Sequence, residues 1–114
     1  MDFHIYINCS FNICKDTGRL FYYDGLHKIY DIPPVIPKEH REFVNMNGEI
    51  FRTYTGLVTD EMSTSVENFV DKYPDWSDIV EYSNSWSEDM HNRFYAALKW
   101  FSDQTICFMI SWNS

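Results

Sequence analysis

Three cysteines and four histidines are the side chains of this chain best suited to nucleophilic or metal chemistry. Cys9 and Cys14 stand close together, with Cys107 far downstream. Structural zinc sites show short paired spacings such as C-x2-C or H-x3-H. None occurs here, so no metal or other cofactor is expected, and the thiols read as free and buried in the core. His4, His27, His40 and His91 have no histidine three or four residues away. Glu39-His40-Arg41-Glu42 sets two carboxylates around an imidazole, a pattern able to move protons. It reads more simply as a solvated segment. His91 is expected on the surface of a helix, opposite an apolar stripe. Asp16-Thr17-Gly18 repeats an aspartic-protease tripeptide, but it has no second copy to share a proton with. Lys15 and Arg19 flank it, so it reads as a turn. The four glycines are isolated and open no phosphate-binding helix. No complete catalytic site is therefore expected.

The remaining chemistry is charge and aromatic surface. The chain has 114 residues and a formal net charge of −8. The charge is unevenly spread. Residues 1–59 hold seven acids and six bases, a net of −1, and residues 60–114 hold ten acids and three bases, a net of −7. Aromatic residues make up 18% of the chain, more than a core of this size needs, so some rings should reach the surface. Within 71–89 the acids Asp71, Asp75, Asp78, Glu81, Glu88 and Asp89 are interleaved with Tyr73, Trp76, Tyr82 and Trp86. Carboxylates there can steer a basic partner in, and the rings can anchor it at low entropic cost. The alternative is an ordinary solvated face with Trp76 and Trp86 in the core.

Elements that would position these residues follow from periodicity. Phe3, Ile5, Ile7 and Cys9 alternate with His4, Tyr6 and Asn8, which predicts a half-buried strand. Lys15 to Gly18 is a turn, Arg19 to Tyr23 a strand, Asp24-Gly25 a hairpin signal and Leu26 to Tyr30 the return strand. Ile32 to Pro37 is an extended connector, since its prolines exclude a helix. A helical turn is expected over 38–44, a hairpin at Asn47-Gly48 and a strand over 49–55. Thr64-x-x-Glu67 and Ser85-x-x-Glu88 read as capping boxes. The first opens a helix carrying Val66, Phe69, Val70 and Tyr73, ended by Pro74. The second opens the best helix, with Met90, Phe94, Ala97, Leu98 and Phe101 on one stripe. A short helix from Asp75 through Glu81 lies between them. Ile106, Phe108, Ile110 and Trp112 predict a last strand.

The whole reads as one α+β domain over 1–114. It should be an antiparallel sheet of five to six strands, an N-terminal meander plus the C-terminal strand, with two to three helices from the second half on one face. Its odd cysteine count and the absence of a signal-like N-terminus point to the cytoplasm, and no apolar run is long enough to span a membrane. The acidic balance argues against direct nucleic-acid contact and for a basic protein partner. In length, charge and aromatic richness the chain is similar to bacterial immunity proteins and to ribonuclease inhibitors of the barstar type. That likeness points to an inhibitor covering the active site of a toxin or nuclease domain, with a monomer favoured. Two rival expectations are a phage- or plasmid-encoded DNA mimic acting against host defence, and an enzyme built around Glu39, His40 or Cys14.

Overall fold

A computed structural model describes residues 2–7, 11–14, 16–44, 51–52, 63–74 and 87–113. The expected α+β architecture is present, with the strands divided between two antiparallel sheets. Strands β1 (Asp2–Ile7), β5 (Phe51–Arg52), β6 (Ser63–Ser65) and β7 (Phe108–Asn113) form one sheet in the order β5-β1-β7-β6. Strands β2 (Asn12–Ile13), β3 (Leu20–Asp24) and β4 (His27–Ile32) form the other, in chain order. The meander is this second sheet. The first strand instead crosses to the last, with Phe3 opposite Trp112, Ile5 opposite Ile110 and Ile7 opposite Phe108.

That register explains why β1 and β7 pair. Each alternates apolar and polar residues, and pairing them aligns the apolar sets on one face. Phe3, Ile5, Phe108, Ile110 and Trp112 are buried, while His4, Tyr6, Met109 and Ser111 on the other face stay partly open. Among the described residues the helices are α1 (Lys38–Arg41), α2 (Val66–Lys72) and α3 (Glu88–Ser102), and both α1 and α2 pack on α3. Aromatic rings join the layers. Phe94 of α3 lies 5.9 Å from Phe3 and 5.3 Å from Phe43, and Phe101 lies 4.6 Å from Phe108. Phe69 of α2 reaches Trp112 at 5.6 Å. Such offset and tilted pairs add to the burial of the rings.

Turns follow the expected chemistry with one shift. Gly18 ends the β2–β3 turn at φ 72°, a left-handed conformation that costs an L side chain. In the β3–β4 hairpin Asp24 pairs with His27, so the two loop residues are Gly25 and Leu26. Gly25 has φ 62° and Leu26 has negative φ, the pattern of a type II′ turn.

Both capping boxes give way to simpler caps. Ser65, not Thr64, caps α2, its Oγ accepting from the Asn68 N–H at 3.1 Å. Thr64 stands opposite Ile110 in β6, and Ser65, the last residue of that strand, is the one that adjoins the first helical residue Val66. Ser87, not Ser85, caps α3, accepting from the Met90 N–H at 3.2 Å. Glu88 is then the first helical residue, too early for a capping box. Helix α2 stops at Lys72, and Tyr73 before Pro74 leaves the helical region, since a following proline disfavours it there.

His91 is buried at 8% exposure, which corrects its expected surface position. It stands three residues before Phe94 and seven before Leu98, so it belongs to the buried stripe. With two helices on α3, that stripe widens to take in His91 and Tyr95 beside Phe94, Ala97, Leu98 and Phe101. The thiols also differ from expectation. Cys107 is exposed because it precedes β7, and Cys14 is half-buried beside the β2–β3 turn. Cys9, the Asn47-Gly48 signal and the Asp75–Glu81 helix lie outside the described residues.

Candidate protein-binding site

Of the ten residues expected to contact a partner, Asp71, Tyr73, Glu88 and Asp89 are described. Asp75, Trp76, Asp78, Glu81, Tyr82 and Trp86 lie outside the described residues. Asp71, Glu88 and Asp89 are exposed. Tyr73 is half-buried against the core, its ring 5.2 Å from Phe69. It sits where α2 ends, with the Lys72 ammonium 5.7 Å from its ring centre.

The carboxylates sit on the two longer helices. Glu67 and Asp71 are spaced i, i+4 on α2 and share a face. Glu88 and Asp89 occupy the first turn of α3, and Asp103 caps its end. All five are exposed. Part of this charge has a local purpose. Glu67, Glu88 and Asp89 lie in first turns, where acids complement the helix dipole. Asp71 and Asp103 lie at helix C-terminal ends, where an acid is unfavourable, so helix stability does not account for them. Glu67 and Asp103 were not among the residues singled out from the sequence. The signal for Glu67 was its i, i+4 spacing from Asp71.

The cations of the helical half leave most of these acids alone. Arg93 Nε donates to Asp89 Oδ2 at 3.2 Å, and Arg93 Nη1 donates to Glu42 Oε1, tying α3 to the segment after α1. Lys72 lies over Tyr73, and Lys99 lies 5.1 Å from the Tyr95 ring centre. Among the described residues no cation pairs with Glu67, Asp71, Glu88 or Asp103.

The groups considered for catalysis lie apart in role. The His40 ring rests against Trp100 at 5.6 Å and Phe101 at 6.4 Å. Burial holds its pKa below the ordinary value, against the opposing charges of Glu39 and Glu42. Its neighbour Arg41 turns the other way, donating from Nη1 to the Asp16 carbonyl at 2.7 Å. The α1 side chain that reaches the Cys14 turn is therefore Arg41, not His40. The Thr17 hydroxyl and the backbone N–H groups of Thr17 and Asp16 hydrogen-bond the Cys14 sulfur and lower its pKa. Among the described residues no group of three or more His, Cys, Asp or Glu is placed to hold a metal ion, and no helix is long and apolar enough to cross a membrane.

Comparisons with protein-family models, curated proteins and solved structures return no match.

Proposed function

We propose that this chain is a small acidic inhibitor, an immunity protein that neutralises a basic toxin domain of the nuclease type by covering its active site. The observation that carries this reading is the set of exposed carboxylates on α2 and α3, Glu67, Asp71, Glu88 and Asp103, with no cation partner among the described residues. Unpaired surface acids accelerate encounter with a basic protein. Those desolvated on docking against Arg or Lys can each cost about 2–5 kcal/mol when truncated. The two acids at helix ends, Asp71 and Asp103, oppose the helix dipole and are explained by a partner's charge better than by folding. Arg93, between Asp89 and Glu42, interrupts any continuous row of carboxylates there. That favours a local docking patch over a DNA mimic, which needs rows at phosphate-like spacing.

The test uses the full chain immobilised in lysate of its source cell, followed by titration calorimetry with the captured cationic protein. One-to-one binding should weaken at least tenfold between 50 and 300 mM salt. The double variant Glu67→Lys/Asp71→Lys should keep its circular dichroism spectrum and lose binding. Capture of no cationic protein, or affinity indifferent to salt, removes this reading.

A further inference from the structure

The second sheet carries chemistry opposite in sign to the helices. On one face of β3 and β4, cations and rings alternate. The Arg19 guanidinium lies 4.8 Å from the Tyr30 ring centre, and Tyr30 lies 5.2 Å from Phe21. The Lys28 ammonium lies 4.9 Å from the Phe21 ring centre and 5.8 Å from that of Tyr23. Arg19, Lys28 and Tyr23 are exposed. Among the described residues neither cation pairs with a carboxylate. Both are held on ring faces and remain open to an anion.

Phe21 links this ladder to a cavity of about 270 Å³ between the two sheets. Its walls are Tyr6 and Ile7 of β1, Phe11, Asn12 and Ile13 at β2, Phe21 of β3, and Val44. The pocket opens to solvent, and its volume leaves room for one aromatic or branched side chain to enter against Ile7, Phe11, Ile13, Phe21 and Val44. Tyr6 and Asn12 add hydrogen-bonding groups to its wall.

We propose that this cavity and ladder form a second binding site, which receives an apolar side chain flanked by carboxylates on a segment of a partner protein. The side chain enters between the sheets, and the flanking carboxylates meet Lys28 and Arg19. This pairing of a filled pocket with a charged rim is how protein interfaces concentrate their affinity. Strand addition at the β4 edge is a poorer fit. From Tyr22–Ile29 to Leu20–Ile32 the register takes three steps on β4 against two on β3, so β4 is bulged there. A bulge and an edge lysine both protect a strand from pairing. Single-stranded nucleic acid also fits less well. Two cations neutralise few phosphates, and the chain's net charge of −8 repels a polyanion.

The site is tested with the tripeptide amides acetyl-Glu-Phe-Glu and acetyl-Lys-Phe-Lys and with an eight-nucleotide oligothymidine. Each is titrated into the labelled full chain while amide chemical shifts are followed. The acidic peptide should bind at least tenfold more tightly than the basic one, with shifts centred on residues 11–13 and 19–30. Lys28→Glu, on an exposed side chain, should abolish that preference without altering the remaining spectrum. Ile13→Trp, which fills the cavity, should weaken the acidic peptide at least tenfold. Equal affinity for the two peptides, shifts centred elsewhere, or tighter binding of the oligonucleotide would overturn the proposal.

Discussion

Two residues show how single positions constrain this molecule. Gly18 has φ 72°, and a Cβ there would stand 2.1 Å from the Ile36 carbonyl oxygen. The same backbone is fixed from both sides, since the Ile36 N–H donates to the Gly18 carbonyl at 2.8 Å. Gly18→Ala therefore meets both a left-handed conformation and backbone that cannot yield. The cost should exceed the roughly 1–2 kcal/mol of the conformation alone. Urea unfolding would read it as a lower midpoint at unchanged slope. The histidines act through protonation. Burial lowers the pKa of both His40 and His91 below the ordinary 6.5. The folded state thus prefers neutral imidazoles, while the unfolded chain takes up protons as pH falls through 6.5. Stability is then complete above that pH and declines below it. Denaturation midpoints should fall from pH 7.5 to pH 5.5, and His91→Leu should flatten that decline. A decline as steep in His91→Leu as in the parent would rule out His91 as a source of it.

At the scale of elements, caps matter more than propensity. Ser87 starts a fifteen-residue helix that supplies much of the core. Ser87→Ala should cost about 1 kcal/mol, within the 0.5–2 kcal/mol range of lost caps. Thermal unfolding can measure it, with the exposed Ser63 as the control position for Ser→Ala. The existence of these helices was legible from apolar spacing, and their starting residues were not. Thr64-x-x-Glu67 has the right letters, but the strand runs on to Ser65 and the helix begins one residue later, at Val66. A sequence motif does not show which element owns a residue. The same limit explains His91. It was expected on the surface opposite the Phe94 and Leu98 stripe; the packing of α1 and α2 on α3 widens the buried side enough to enclose it. The candidate site divides likewise. Acid content by segment could be counted directly. That Arg93 would engage Asp89 and Glu42, and leave Glu67 and Asp71 alone, depends on contacts across the chain. The ladder of Arg19, Phe21 and Tyr23 with Lys28 and Tyr30 depends on how β3 and β4 pair across a bulge, which one strand's residues do not show.

Across the whole molecule, the two sheets differ in how much of the core they hold. The β1–β7 pair contributes Phe3, Ile5, Phe108, Ile110 and Trp112, all buried against α2 and α3. Among buried residues the second sheet contributes Leu20 and Phe21, and its hairpin ends in Leu26 at 97% exposure. Its strands β3 and β4 are joined by cation–ring contacts of Arg19 and Lys28, which contribute about 0.5–1 kcal/mol each when exposed. Local opening is governed by buried apolar contact, so the sheets should open at different free energies. Native-state hydrogen exchange should show the slowest amides in β1, β7 and the middle of α3, exchanging only on global unfolding. Amides of β3 and β4 should exchange through a partial opening at a lower free energy. Ile110→Ala, which empties space between β7 and the helices, should cost about 2–5 kcal/mol and accelerate the slow class. It should leave the hairpin class nearly unchanged, because that opening does not pass through the β1–β7 core. If the two classes accelerate together, the two sheets form one cooperative unit.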